Sequence, residues 1–109
     1  MRENPATTAA MAAFRLPWGL RDAAGSVHRD GWLRPATAWE EARALQDFRS
    51  QLRPGGFLDV ILARTVVRLG TLERVDPGDV ERLDPEDRRH LEDVYRRLNG
   101  YATMPEEGQ

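Results

Sequence analysis

Two histidines, eighteen carboxylate side chains and sixteen cationic ones are the groups here that could move protons or hold a ligand by charge. His28 and His90 lie in different segments, and neither has a second ligand at the helical spacing that binds zinc. His28 and Asp30, two positions apart, would share one side of a strand and form a minimal acid–base pair. Such lone pairs are common by chance, and one pair makes no catalytic site. Glu40 and Glu41 are adjacent, and adjacent residues on a helix do not face one another. Asp76, Asp79, Asp84 and Asp87 do not follow the alternating ligand pattern of a calcium loop, which ends in glutamate. Gly55-Gly56 lacks the spacing and the following lysine of a phosphate loop. The expectation is a chain that is not an enzyme, with no catalytic, cofactor-binding or metal-binding residues and no cofactor.

All sixteen cationic residues are arginine, and there is no lysine and no cysteine. Without cysteine there is no disulfide scaffold, thiolate metal site or thiol chemistry. Arginine forks pair with carboxylates and lie over apolar surface better than lysine does. A net charge of −2 argues against a general nucleic-acid binder, which normally carries a basic excess. The pairs Arg88-Arg89 and Arg96-Arg97 are interleaved with Glu86, Asp87, Glu92 and Asp93, which reads as a solvated helix face. The apolar run from Phe57 to Leu72 contains Asp59, Arg64 and Arg68 and is too short to span a bilayer. "MRENPATTAAMAAF" has no apolar core of the kind an export signal needs. The location expected is cytoplasmic. At 109 residues, one domain is the default. The boundaries expected are a flexible tail at 1–13, a domain at 14–101 and a second tail at 102–109.

The elements that must position these groups follow from periodicity. Phe14, Leu16, Trp18 and Leu20 alternate with polar or small residues, the period of a strand with one buried face. Pro17 cannot donate to a ladder, so this is an edge strand or an irregular one. "DAAGS" makes a turn, and Val27–Pro35 reads as the return strand, with Asp30-Gly31 a candidate bulge or second turn. Thr37 followed by Glu40 is a capping box that opens a helix with Trp39, Ala42, Leu45 and Phe48 on its apolar face. That helix is expected to end near Leu52, before Pro54-Gly55-Gly56. A second helix is expected from about Phe57 to Leu69, closed by a left-handed Gly70. Leu58, Ile61, Leu62, Thr65, Val66 and Leu69 form one broad face of it. Val60, Ala63 and Val67 form another, and only Asp59, Arg64 and Arg68 call for water. Such girth marks a central helix. Asp76-Pro77 and Asp84-Pro85 each place a capping carboxylate before a proline at the first helical position. The first opens one short turn. The second opens a last helix to about Asn99, with the stripe Leu91, Val94, Tyr95 and Leu98. The fold class expected is α+β: an N-terminal β-hairpin followed by three to four α-helices, mostly helical, in a single small domain.

Three stretches, "FRLPWGLRDAAGSVHRDGWLRPATAWEEARAL", "DVILARTVVRLGTL" and "HLEDVYRRLNGY", resemble small tail assembly proteins of phage tails and phage-tail-like contractile injection systems. More distantly they are similar to the tail assembly chaperones of Mu-type phages. The shared pattern is a hairpin whose second strand leads into an Arg-Pro-Ala/Thr step and an acidic helix, here Leu33-Arg34-Pro35-Ala36-Thr37. The resemblance covers about Phe14 to Tyr101. The chain departs from it at "DPGDVERLDPED", where those proteins carry a more apolar segment. The resemblance implies tail assembly without enzymatic activity, and partners such as tape-measure, tube or baseplate proteins. It transfers no catalytic residue.

A small protein of this kind would mask apolar surface on tail components until assembly. The residues expected to meet the partner are Val60 and Val67 on the second helix face, and Trp18 and Trp32 on the hairpin. The three tryptophans are otherwise expected to stack in the core where hairpin meets helix, the alternative being that at least one of them contacts a partner. Two other roles fit the sequence: a permanent baseplate or cap adaptor, and a small Arg-rich nucleic-acid-binding or regulatory module.

Overall fold

The computed structural model describes residues 11–100. The expected tails therefore fall mostly outside the described residues. Ala12 and Ala13 do not, and they belong to the first strand. The elements in chain order are β1 (Ala12–Arg21), β2 (Val27–Leu33), α1 (Ala38–Gln46), α2 (Phe48–Leu52), α3 (Gly56–Thr65), β3 (Val66–Leu69), α4 (Pro77–Glu81) and α5 (Pro85–Leu98). The class is α+β, with a three-stranded antiparallel sheet in the order β1-β2-β3 and five helices. No described helix is long and apolar enough to cross a membrane.

The hairpin forms where expected. The Asp22 carboxylate accepts from the Ala24 and Ser26 amides at 2.9 Å, which closes the turn. Its bulge lies elsewhere than expected. Asp30 and Gly31 are paired residues of β2, and the irregularity is in β1, where pairing jumps from Arg15↔Asp30 to Leu20↔His28. Pro17 cannot donate there, and Gly19 turns through a φ of 98°. The bulge keeps Phe14, Leu16 and Leu20 inside but turns Trp18 out of the row.

The expected second helix is two elements. It stops at Thr65, and Val66–Leu69 pairs with β2. Thr65-Val66-Val67 is a β-branched run, stiff in a helix and suited to a sheet. The open edge of β2 supplies the ladder. Gly70 is left-handed as expected, at φ 60°, but it closes a strand, and its N–H donates to the Asp30 carbonyl at 2.6 Å. The expected first helix is also divided. Asp47 adopts extended backbone and caps a new helix through the Arg49 amide at 2.9 Å.

α3 is central, packing against α1, α2, α4 and α5, while α5 lies along β1. Leu16 and Leu33 from the sheet, Ile61 and Leu62 from α3, Val80 from α4 and Leu91 from α5 are fully buried. Removing each from water stabilises the fold by about 1.5–3 kcal/mol. Val94 and Tyr95 complete the expected stripe on α5.

Two carboxylates sit inside this core. Asp59, only 1% exposed, is held by the guanidinium groups of Arg53 and Arg88. Asp87, fully buried, accepts from the Trp18 and Gly19 amides at 2.9 Å each. Asp59 was expected in water and Arg88 on a solvated face; each instead satisfies the other's charge inside. Removing one partner of a buried pair strands the other charge. Arg88→Met is expected to destabilise by on the order of 3 kcal/mol in urea unfolding. Exposed Arg89→Met is expected to stay within about 0.5 kcal/mol.

Candidate protein-interaction surface

The polar clusters of the structure are locking devices. His28 is buried, and its Nδ1 accepts from the Thr71 amide at 3.4 Å, which leaves Nε2 to donate to Asp22 at 2.8 Å. That hydrogen bond holds the Asp22 carboxyl below the usual carboxylate range. Asp30 does not join His28. It faces out and takes two hydrogen bonds from Arg15, at 2.9 and 3.0 Å. The burial alternation of β2 changes phase between them, with His28 in and Asp30 out. His90 lies half-buried on α5. Among the described residues, no three His, Cys, Asp or Glu side chains come together to hold a metal.

The β2–α1 connection carries a second lock. Thr37 and Glu40 form the expected capping box, with both hydrogen bonds at 3.0 Å. Glu40 also receives a fork from Arg34 at 2.9 and 2.7 Å, and Arg34 reaches the Arg64 carbonyl at 2.9 Å. The Arg34 fork is the main reason the Glu40 carboxyl is pulled down to about 2.

This lock decides which side of α1 faces in. Glu40 and Ala44 are the buried residues, so the side expected to pack on the core is turned to solvent. Trp39 is 63% exposed, and Leu45, Phe48 and Leu52 are comparably open. They are the exposed large apolar side chains of α1 and α2. The Arg43 and Arg64 guanidiniums lie over the Trp39 ring at 5.5 and 5.9 Å, and Arg49 lies over Phe48 at 5.0 Å.

The four residues first expected to meet a partner are scattered. Trp18 stands at the β1 bulge with its indole N–H bonded to Glu86 at 3.0 Å. Trp32 lies on the outer sheet face, paired with Ala13 and Arg68. Val67 is half-exposed on β3. Val60 is only 5% exposed, because α1, α2, α4 and α5 pack around α3 and leave mainly Arg64 in water. The spare helix face is thus not on α3. The tryptophans do not gather into one core stack; they stand on three separate elements, all substantially exposed. Sequence pattern misses the exposed side chains of α1 and α2 because it assigns apolar helical spacing to the core. The signal available was Arg34, one fork in reach of a Glu at the third helical position.

The Arg34–Glu40 lock sets a pH dependence. Glu40 has a lowered pKa in the fold, so its contribution is fully present above the unfolded value of 4.5. It declines as pH falls from there toward about 2, where the folded carboxyl protonates. In urea titrations between about pH 6 and about pH 2, Glu40→Gln is expected to flatten the acid loss of stability by close to one proton.

Compared with protein-family models, curated proteins and solved structures, the chain matches none.

Proposed function

We propose that this chain is a non-enzymatic assembly protein of a phage tail-like contractile injection system, one that binds and masks a tail component before assembly. The observation that carries the reading is the set Trp39, Leu45, Phe48 and Leu52, turned to solvent while a charged pair takes the inner side of α1. Leaving aromatic and leucine side chains in water forgoes about 1.5–3 kcal/mol each, a loss a partner surface recovers. The hairpin leading into Arg34-Pro35-Ala36-Thr37 and an acidic helix supports the tail family by resemblance. The partners proposed are tape-measure, tube or baseplate proteins, met in the cytoplasm.

Co-expression with the tube, tape-measure and baseplate proteins of a contractile injection system tests the reading. A soluble complex with one of them is expected, together with absence of this chain from finished particles. Stoichiometric presence in particles would instead make it a permanent baseplate or cap adaptor, and binding to none of the three would remove the tail reading. In the complex, Trp39→Ala and Phe48→Ala are expected to weaken binding about tenfold or more each. Their urea midpoints are expected to stay close to the wild type, because both side chains are exposed.

A further inference from the structure

Beside the exposed apolar side chains runs a trough with an unbalanced charge. Two adjoining clefts, of about 420 and about 300 Å³, share Asp47, Val60 and Arg64. Val60 and Ala63 of α3 form the apolar floor, and Arg34, Arg43, Arg64 and Arg74 stand on the walls. The acidic residues of the trough are already engaged. Glu40 is held by Arg34 and the Thr37 amide, Asp47 by the Arg49 amide, and Asp76 opens α4. Among the described residues, Arg43, Arg64 and Arg74 make no ion pair. Two of these three guanidiniums are held against the same indole ring, which fixes like charges near one another and leaves their N–H groups open.

We infer that this surface docks an acidic amphipathic helix of a protein partner. Its apolar side lies on Trp39, Phe48 and Leu52, and its carboxylates meet Arg43, Arg64 and Arg74. A helix suits the site because its i, i+3 and i+4 positions set an apolar row beside an acidic one. Arginine forks take carboxylates two-pronged, and a desolvated aromatic between them is the usual composition of an interface anchor. A nucleic-acid strand fits less well. The chain as a whole is net negative. The inference rests on the interaction reading above and adds the chemistry of the partner.

The probe is a fluorescent peptide of about twenty residues with leucine and glutamate at helical spacing. A control carries lysine for every glutamate, and a second control is single-stranded DNA of similar length. Saturable binding of the acidic peptide is expected, about tenfold weaker when NaCl rises from about 50 to about 300 mM. The triple change Arg43→Ala, Arg64→Ala and Arg74→Ala is expected to reduce affinity at least tenfold, with an unchanged unfolding midpoint. Reversal to Arg64→Glu and Arg74→Glu is expected to shift preference to the lysine peptide. Equal binding of both peptides, indifference to the arginine changes, tighter binding of DNA, or no binding of the acidic peptide would each overturn the inference. The two proposals fail separately. A tail protein that binds wild type and triple variant alike leaves the assembly reading standing without the acidic helix. Arginine-dependent binding of the acidic peptide, with no tail protein bound, does the reverse.

Discussion

The fold is organised around the need to neutralise a carboxylate that has no access to water. Asp59 lies in the first turn of α3, the helix that touches four others, at 1% exposure. An unpaired charge there would cost several kcal/mol. It is answered from two directions, by Arg53 in the α2–α3 link and by Arg88 in the first turns of α5. Arg88 also donates to the Val80 carbonyl at 3.2 Å, which brings α4 into the same cluster. The preceding residue, Asp87, reaches the other way and takes both amides of the β1 bulge. Two consecutive residues therefore fix the helical layer to the sheet. Hydrophobic burial supplies most of the drive to fold, but it is non-directional. The geometry of these charged groups is directional, and it sets how the layers meet.

The same exchange of polar for apolar shapes the surface. Arg34 must reach Glu40, Pro35 and the end of α3 at once, and it does so only if Glu40 turns inward. A helix of nine residues has one inner side, so the position given to Glu40 is withdrawn from Trp39 and Leu45. The exposed apolar side of α1 is thus the other face of a buried ion pair. Arginines then gather over the stranded ring, because a guanidinium is weakly hydrated and lies readily on an aromatic face. The result joins greasy and cationic surface at one place, which is the physical basis for a partner that is apolar and acidic together.

Much of the fold was legible locally. The hairpin turn, the capping box at Thr37, the Asp84-Pro85 start and the stripe of α5 all depend on groups within a few residues of each other. The change from helix to strand after Thr65 was also written locally, in a β-branched run, but the apolar period continued through it and concealed it. The site was less legible. Of the residues whose pattern points to a partner, Trp18, Trp32 and Val67 are exposed on separate elements, and Val60 is in the core. The exposed apolar side chains Trp39, Leu45, Phe48 and Leu52 lie on α1 and α2, whose pattern points inward.

The sequence by itself determined the α+β class, the hairpin, the helix starts at Thr37, Asp76 and Asp84, and the central place of the segment after Gly56. These are backbone requirements: orphan amides, turn conformations and apolar periods are satisfied or broken by near neighbours. Only the tertiary structure decided which charges go inside and which rings stay out. Asp59 finds Arg88 29 residues away, and Trp18 finds Asp87 69 residues away. A side chain's burial depends on what the rest of the chain brings to it, and no local period encodes that.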